Sequence, residues 1–60
     1  MTRAMFKYEL AAAAGVSRQT FRRWLHTDRA ELSRLGVGPH TKLLPPAAVR
    51  YLCGKYEIDL

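Results

Sequence analysis

Apolar side chains recur along residues 18–26, RQTFRRWLH, with the spacing of an α-helix rather than a strand. At ~100° per residue, with Phe21 as zero, Trp24 and Leu25 fall at about −60° and +40°, forming one apolar stripe. Arg22, His26, Gln19 and Arg23 fall at about 100°, 140°, 160° and 200°, on the opposite side. Arg18, at roughly 60°, borders the two faces. The pattern predicts a helix with a buried aromatic stripe and an exposed polar fan.

Upstream, residues 7–14, KYELAAAA, form a second helical stretch. Alanine is the best helix former, and small side chains let a neighbouring helix approach closely. This helix begins without a good N-cap. Gly15 ends it with a left-handed turn, and Ser17 is a favoured N-cap for the next helix. Leu10 and Ala11 supply the contact where the two helices meet, with Val16, Phe21 and Trp24 behind it. Residues 7–26 therefore read as a helix-turn-helix, two helices joined at a steep angle by a short turn.

Downstream, Asp28 and Glu31 predict a short helix, Asp28 capping its start and Glu31 reaching back. Leu32 and Leu35 face inward, and Gly36 stops it. Gly38-Pro39 marks a turn. The segment 37–44 has the length of a minimal two-stranded wing, pairing Val37 with the Lys42-Leu43-Leu44 stretch, or of an extended loop. Pro45-Pro46 excludes helix at Leu44 and Pro45 and presets the first turn of a final helix, 46–57. That helix places Val49, Leu52, Cys53 and Tyr56 on one face, and Gly54 weakens it by roughly 1 kcal/mol. The fold expected is mostly α, a helix-turn-helix with three to four short helices and at most a minimal two-stranded wing. Its core gathers Leu10, Ala11, Val16, Phe21 and Leu25 with Leu32, Leu35, Val49 and Leu52, and Trp24 is mostly buried. Tyr8, Tyr51 and Tyr56 are placed at the rim.

Sixty residues, 48% of them hydrophobic, make one globular domain, 1–60, with a small core. A deep enzyme pocket is not expected, and no Ser-His-Asp order, paired carboxylates or phosphate loop stands out. Cys53 is the single cysteine, which excludes an intramolecular disulfide and a cysteine-based zinc site. No metal or other cofactor is expected. Neither a signal-peptide core nor a run of ~18 apolar residues is present, so the expectation is a cytoplasmic protein without a membrane partner.

Charge sharpens the picture. The net charge is +5. Residues 1–26 carry five bases against Glu9 alone, and residues 27–60 carry five bases against four acids. The excess sits on the helix-turn-helix half, where a polyanion would dock.

The order of elements, with Leu10, Ala11, Gly15, Val16, Ser17 and the aromatic core of the second helix, resembles the small winged helix-turn-helix domains of the MerR and excisionase type. The likeness covers about twenty residues; the predicted helix within 27–36 is an addition to the usual plan. The resemblance implies no enzyme activity. It implies sequence-specific binding of double-stranded DNA, by a transcription regulator or by an accessory factor in excision of mobile DNA, with a recombinase or other regulatory protein as a further partner.

On that reading Arg22 and Arg23 fork onto guanine or phosphates, and Gln19 pairs with adenine. Arg18 and the Ser17 hydroxyl suit phosphate oxygens at the helix start. His26 completes the fan, and Lys42, with His40, reaches flanking phosphate from the wing. So small a module buries about 600–1,000 Å² on DNA, so self-association on adjacent sites is expected, with Tyr51 and Tyr56 of the final helix at the contact. Two alternatives stand beside it. One is a protein-interaction module without DNA, which needs an exposed apolar patch such as Tyr51, Leu52 and Tyr56. The other is an RNA binder, which needs surface aromatics for stacking.

Overall fold

The structure, a computed structural model, describes residues 3–60; positions 1 and 2 of the expected domain lie outside them. Four helices and a two-stranded antiparallel sheet are present among these residues. The elements run β1 (Met5–Phe6), α1 (Lys7–Ala14), α2 (Arg18–Thr27), α3 (Arg29–Arg34), β2 (Leu43–Leu44) and α4 (Pro46–Tyr56).

The start of α1 lacks a capping side chain at Phe6, and Glu9 compensates. Its Oε1 accepts the Phe6 N–H at 2.9 Å, so a carboxylate also sits at the positive end of the helix. Gly15 adopts φ 72°, and the amides of Gly15 and Val16 bond back to Ala12 and Ala11, closing α1 with a Schellman ending. Ser17 caps α2, its Oγ accepting the Thr20 N–H at 3.1 Å. The helix-turn-helix therefore forms over the predicted residues, with α2 one residue longer than expected.

Asp28 bends α2 into α3 in a single residue. Its amide bonds to the Trp24 carbonyl and its carbonyl accepts from Leu32, so both helices continue through it at the backbone. Its side chain, however, does not cap α3 as the sequence suggested, and Glu31 lies beside Arg34 instead. The Asp28 carboxylate turns inward, 5% exposed. There it accepts from Tyr56 Oη at 2.5 Å, from Tyr51 Oη at 3.3 Å and from Lys55 Nζ. All three donors lie on α4, which is thereby fastened to the α2–α3 bend. Trp24 joins the same junction, its ring parallel to that of Tyr56 within 6° at a centroid distance of 4.1 Å.

The two-stranded sheet forms, but not as a hairpin inside 37–44. Val37 is buried beneath the end of α3, where its amide caps Leu32. The chain then turns at Gly38–Thr41, held by Thr41 Oγ1 on the Gly38 N–H, and returns to pair Leu44 with Met5 and Leu43 with Phe6. The period-two rule explains the register: Leu44 and Met5 point into the core while Leu43 and Phe6 point out. An extra bond from the Lys7 N–H to the Lys42 carbonyl continues the ladder into α1.

Leu10, Leu32, Leu44, Val49 and Leu52 are fully enclosed, so each helix and β2 reaches the centre either directly or, for α2, through the buried Phe21. Of the expected core, Val16, Leu25, Leu35 and Trp24 are only half-buried. Met5, Val37, Leu44, Ala48 and Ile58 take their place, because β1, the loop after α3 and the chain after α4 fold back over the centre. Cys53, on the same face of α4 as Val49 and Leu52, is half-buried, and desolvation raises its thiol pKa.

Two outcomes test this packing. Phe21→Ala should cost about 3–5 kcal/mol, enough to abolish a cooperative thermal melt in so small a domain. The Asp28 junction should give an acid-sensitive stability. Burial raises the Asp28 pKa, but the bonds from Lys55, Tyr56 and Tyr51 outweigh burial and hold it below the usual carboxylate range. A folded pKa below the unfolded one means stability that is complete above about pH 4 and lost as pH falls through the folded value. Melting curves of the native chain should therefore drop in midpoint below about pH 4. Asp28→Asn should be less stable at neutral pH and show a smaller acid drop; an unchanged acid profile would remove Asp28 from this role.

Candidate nucleic-acid interface

The exposed face of α2 is fixed from behind. Phe21 anchors the helix in the core, Ser17 locks its first turn and Asp28 ties its last residues to α4. Arg18, Gln19, Arg22, Arg23 and His26 are displayed on a helix held at these three points, and all five are exposed. Among the described residues, the ion pairs are Arg3–Glu9, Arg34–Glu31 and Lys55–Asp28. No carboxylate therefore neutralises Arg18, Arg22 or Arg23.

The arginines divide into two rows. Arg18, Arg22 and His26, four residues apart, line a groove of about 730 Å³, whereas Gln19 and Arg23 do not line it. Arg29 closes the groove row, and sequence reasoning missed it because it belongs to α3. Its Nη1 donates to the His26 carbonyl at 2.9 Å and lies 3.3 Å from His26 Nε2. A guanidinium only donates, so Nε2 is the acceptor in that contact. The helical phase of α3 relative to α2, set by the bend at Asp28, was the signal that could have found it.

Other predicted positions are placed differently. The Ser17 hydroxyl is engaged twice within its own turn, accepting from the Thr20 amide and donating to Thr20 Oγ1 at 3.1 Å. It is a cap first, and the amides of Arg18 and Gln19 are the ones left at the helix start. Lys42 is exposed but lies beside Lys7 at the end of the sheet, through the Lys7–Lys42 backbone bond. It therefore flanks α1 rather than extending the α2 face on a hairpin tip. His40 is exposed in the 38–41 turn.

Tyr8 is exposed and Tyr51 and Tyr56 are half-buried, in keeping with a rim position. The Tyr51 and Tyr56 hydroxyls are engaged by Asp28, Tyr56 also covers Trp24, and Leu52 is fully enclosed, so Leu52 is not part of an exposed apolar patch. The exposed large apolar side chains are Phe6 (42%), Leu43 (47%), Tyr8 (66%) and Leu60 (64%).

No family model matches the chain, and comparison with characterised proteins and with solved structures gave no match either. Among the described residues no helix is long and apolar enough to cross a membrane, and no three His, Cys, Asp or Glu side chains gather as a metal-ligand set.

Proposed function

We propose that the chain is a cytoplasmic, non-enzymatic protein that binds double-stranded DNA sequence-specifically, as a transcription regulator or a recombination accessory factor. The observation that carries this reading is the α2 face. It exposes three arginines that no carboxylate neutralises, with Gln19 and His26 among them, on a helix anchored by the buried Phe21. Free guanidiniums on a surface helix are what a phosphate backbone recruits through counterion release. A helix held at a fixed angle is what base readout in the major groove requires, since a bidentate pair tolerates little rotation.

Roles follow from position. Gln19 and Arg23 form the outermost row and read base edges, with Arg22 beside them. Arg18 and the amides at the start of α2 take phosphate oxygens. Lys42 and Lys7, side by side next to α1, hold the flanking backbone. Gln19→Ala or Arg22→Ala should cost about 1–3 kcal/mol at one base position and relax preference there. Lys42→Ala should weaken all sequences alike and reduce the salt slope by about one. A binding-site selection run on the three variants separates the two effects, and altered base preference in Lys42→Ala alone would assign the groove to another element.

The number of free cations also sets affinity. About four or five phosphates neutralised per copy gives a slope of log affinity against log salt near −4. One copy then binds weakly at physiological salt, and specificity comes from copies on adjacent sites. A footprinting titration in a salt series should show protection spreading over two or more half-sites about one helical turn apart, or over closely repeated sites. Tight, salt-resistant protection of one isolated site by one copy would reject this reading, and so would equal affinity for duplex DNA and for RNA of the same length.

A further inference from the structure

The groove beside α2 is more than a row of arginines. Its rim is basic, with Lys7, Arg18, Arg22, His26 and Arg29, while its floor and mouths are apolar, with Leu25, Leu32, Val37, Pro39 and Tyr8. A duplex presents phosphates to such a rim but keeps its bases stacked away from such a floor. The apolar surface also continues out of one mouth. Tyr8 stacks on Phe6 at 5.7 Å with ring planes 16° apart, and Phe6 pairs across the sheet with Leu43; all three side chains are exposed. An apolar strip leading into a basic cleft marks an interaction surface.

From this juxtaposition we propose that the groove docks an acidic segment of another protein, one that carries aliphatic or aromatic anchors between its carboxylates. Charge selects the occupant. A second copy of this chain repels on balance, because it carries net charge +5 and three of its five acids are already engaged. Asp28 is buried under three donors, Glu9 caps α1 and Glu31 meets Arg34, which leaves Glu57 and Asp59. A small anion neutralises the rim and leaves Leu25, Pro39 and Tyr8 wet. A segment with both kinds of side chain satisfies rim and floor together, the anchors entering the groove and the carboxylates forking onto Arg22 and Arg29. The groove shares Lys7, Arg18, Arg22 and His26 with the proposed DNA face, whereas Arg29, Ser33 and the floor belong to it alone.

The test uses a random twelve-residue peptide library displayed on phage and selected on the intact chain without nucleic acid. Enriched peptides should combine Asp or Glu with Leu, Ile, Phe or Trp. Fluorescence polarisation of a synthetic copy should then show at least tenfold weaker binding to Arg29→Glu, which reverses the rim charge, and to Ser33→Trp, which fills the groove from an exposed position. Replacing one peptide carboxylate by Lys should recover binding to Arg29→Glu, which a folding defect in that variant would not allow. Gln19→Ala, outside the groove lining, should bind the peptide as the native chain does. No enrichment over bare support, enriched peptides without acids, or binding indifferent to both Arg29→Glu and Ser33→Trp would each overturn the proposal.

Discussion

A carboxylate withdrawn from water is costly unless donors meet it, and Asp28 is met by three from a single helix. The rest of the molecule is arranged around that arrangement. The backbone at Asp28 carries α2 into α3, so the direction of both helices is set at the residue whose side chain is gripped by α4. The same helix also packs Ala48, Val49 and Leu52 into the apolar centre. Tyr56 adds a second contact, since the ring whose hydroxyl reaches Asp28 also lies flat on Trp24. One side chain therefore links α4 both to α2 and to the α2–α3 bend. In a domain this small, where the apolar core is limited, a satisfied polar junction supplies the specificity that packing alone would leave loose.

How much of this could be read from the chain depends on whether the information was local. The α1–turn–α2 unit was legible because Gly15 and Ser17 act on their immediate neighbours through backbone bonds, and because the 3.6-residue period places Phe21 opposite Arg22 and Arg23 whatever lies beyond. The same holds for Pro45-Pro46 at the start of α4. Asp28 was misread for the complementary reason. Its local context, with Glu31 three residues on, favours a cap, and only donors 23, 27 and 28 residues away turn it inward. The strand partner of Leu43–Leu44 was equally non-local. The alternation of Leu43 and Leu44 shows that one of them faces inward, but two residues cannot specify whether Val37 or Met5 lies opposite.

The site divides along the same line. Which side of α2 is exposed follows from its own sequence, so Gln19, Arg22, Arg23 and His26 were found. Which exposed residues share a surface does not follow, because that depends on how α3 and the 37–39 segment stand beside α2. The half-burial of Leu25 is part of this. On the helical wheel it belongs to the core stripe, yet no element covers it completely, and it becomes groove floor instead. A departure from the ideal core thus marks the place where the surface acquires a second character.

Arg18, Arg22 and His26 belong to both the proposed DNA face and the groove, and that overlap has a physical consequence. A guanidinium committed to a carboxylate in the groove is drawn toward the apolar floor, where the local dielectric is lower and the pair is stronger than at an open surface. It is then withdrawn from any phosphate. Duplex DNA and an acidic segment are in that case alternatives for the same cations, while Gln19 and Arg23, on the outer row, are left to the duplex alone. With Arg18, Arg22 and His26 common to both proposed surfaces, occupancy of one withdraws those cations from the other.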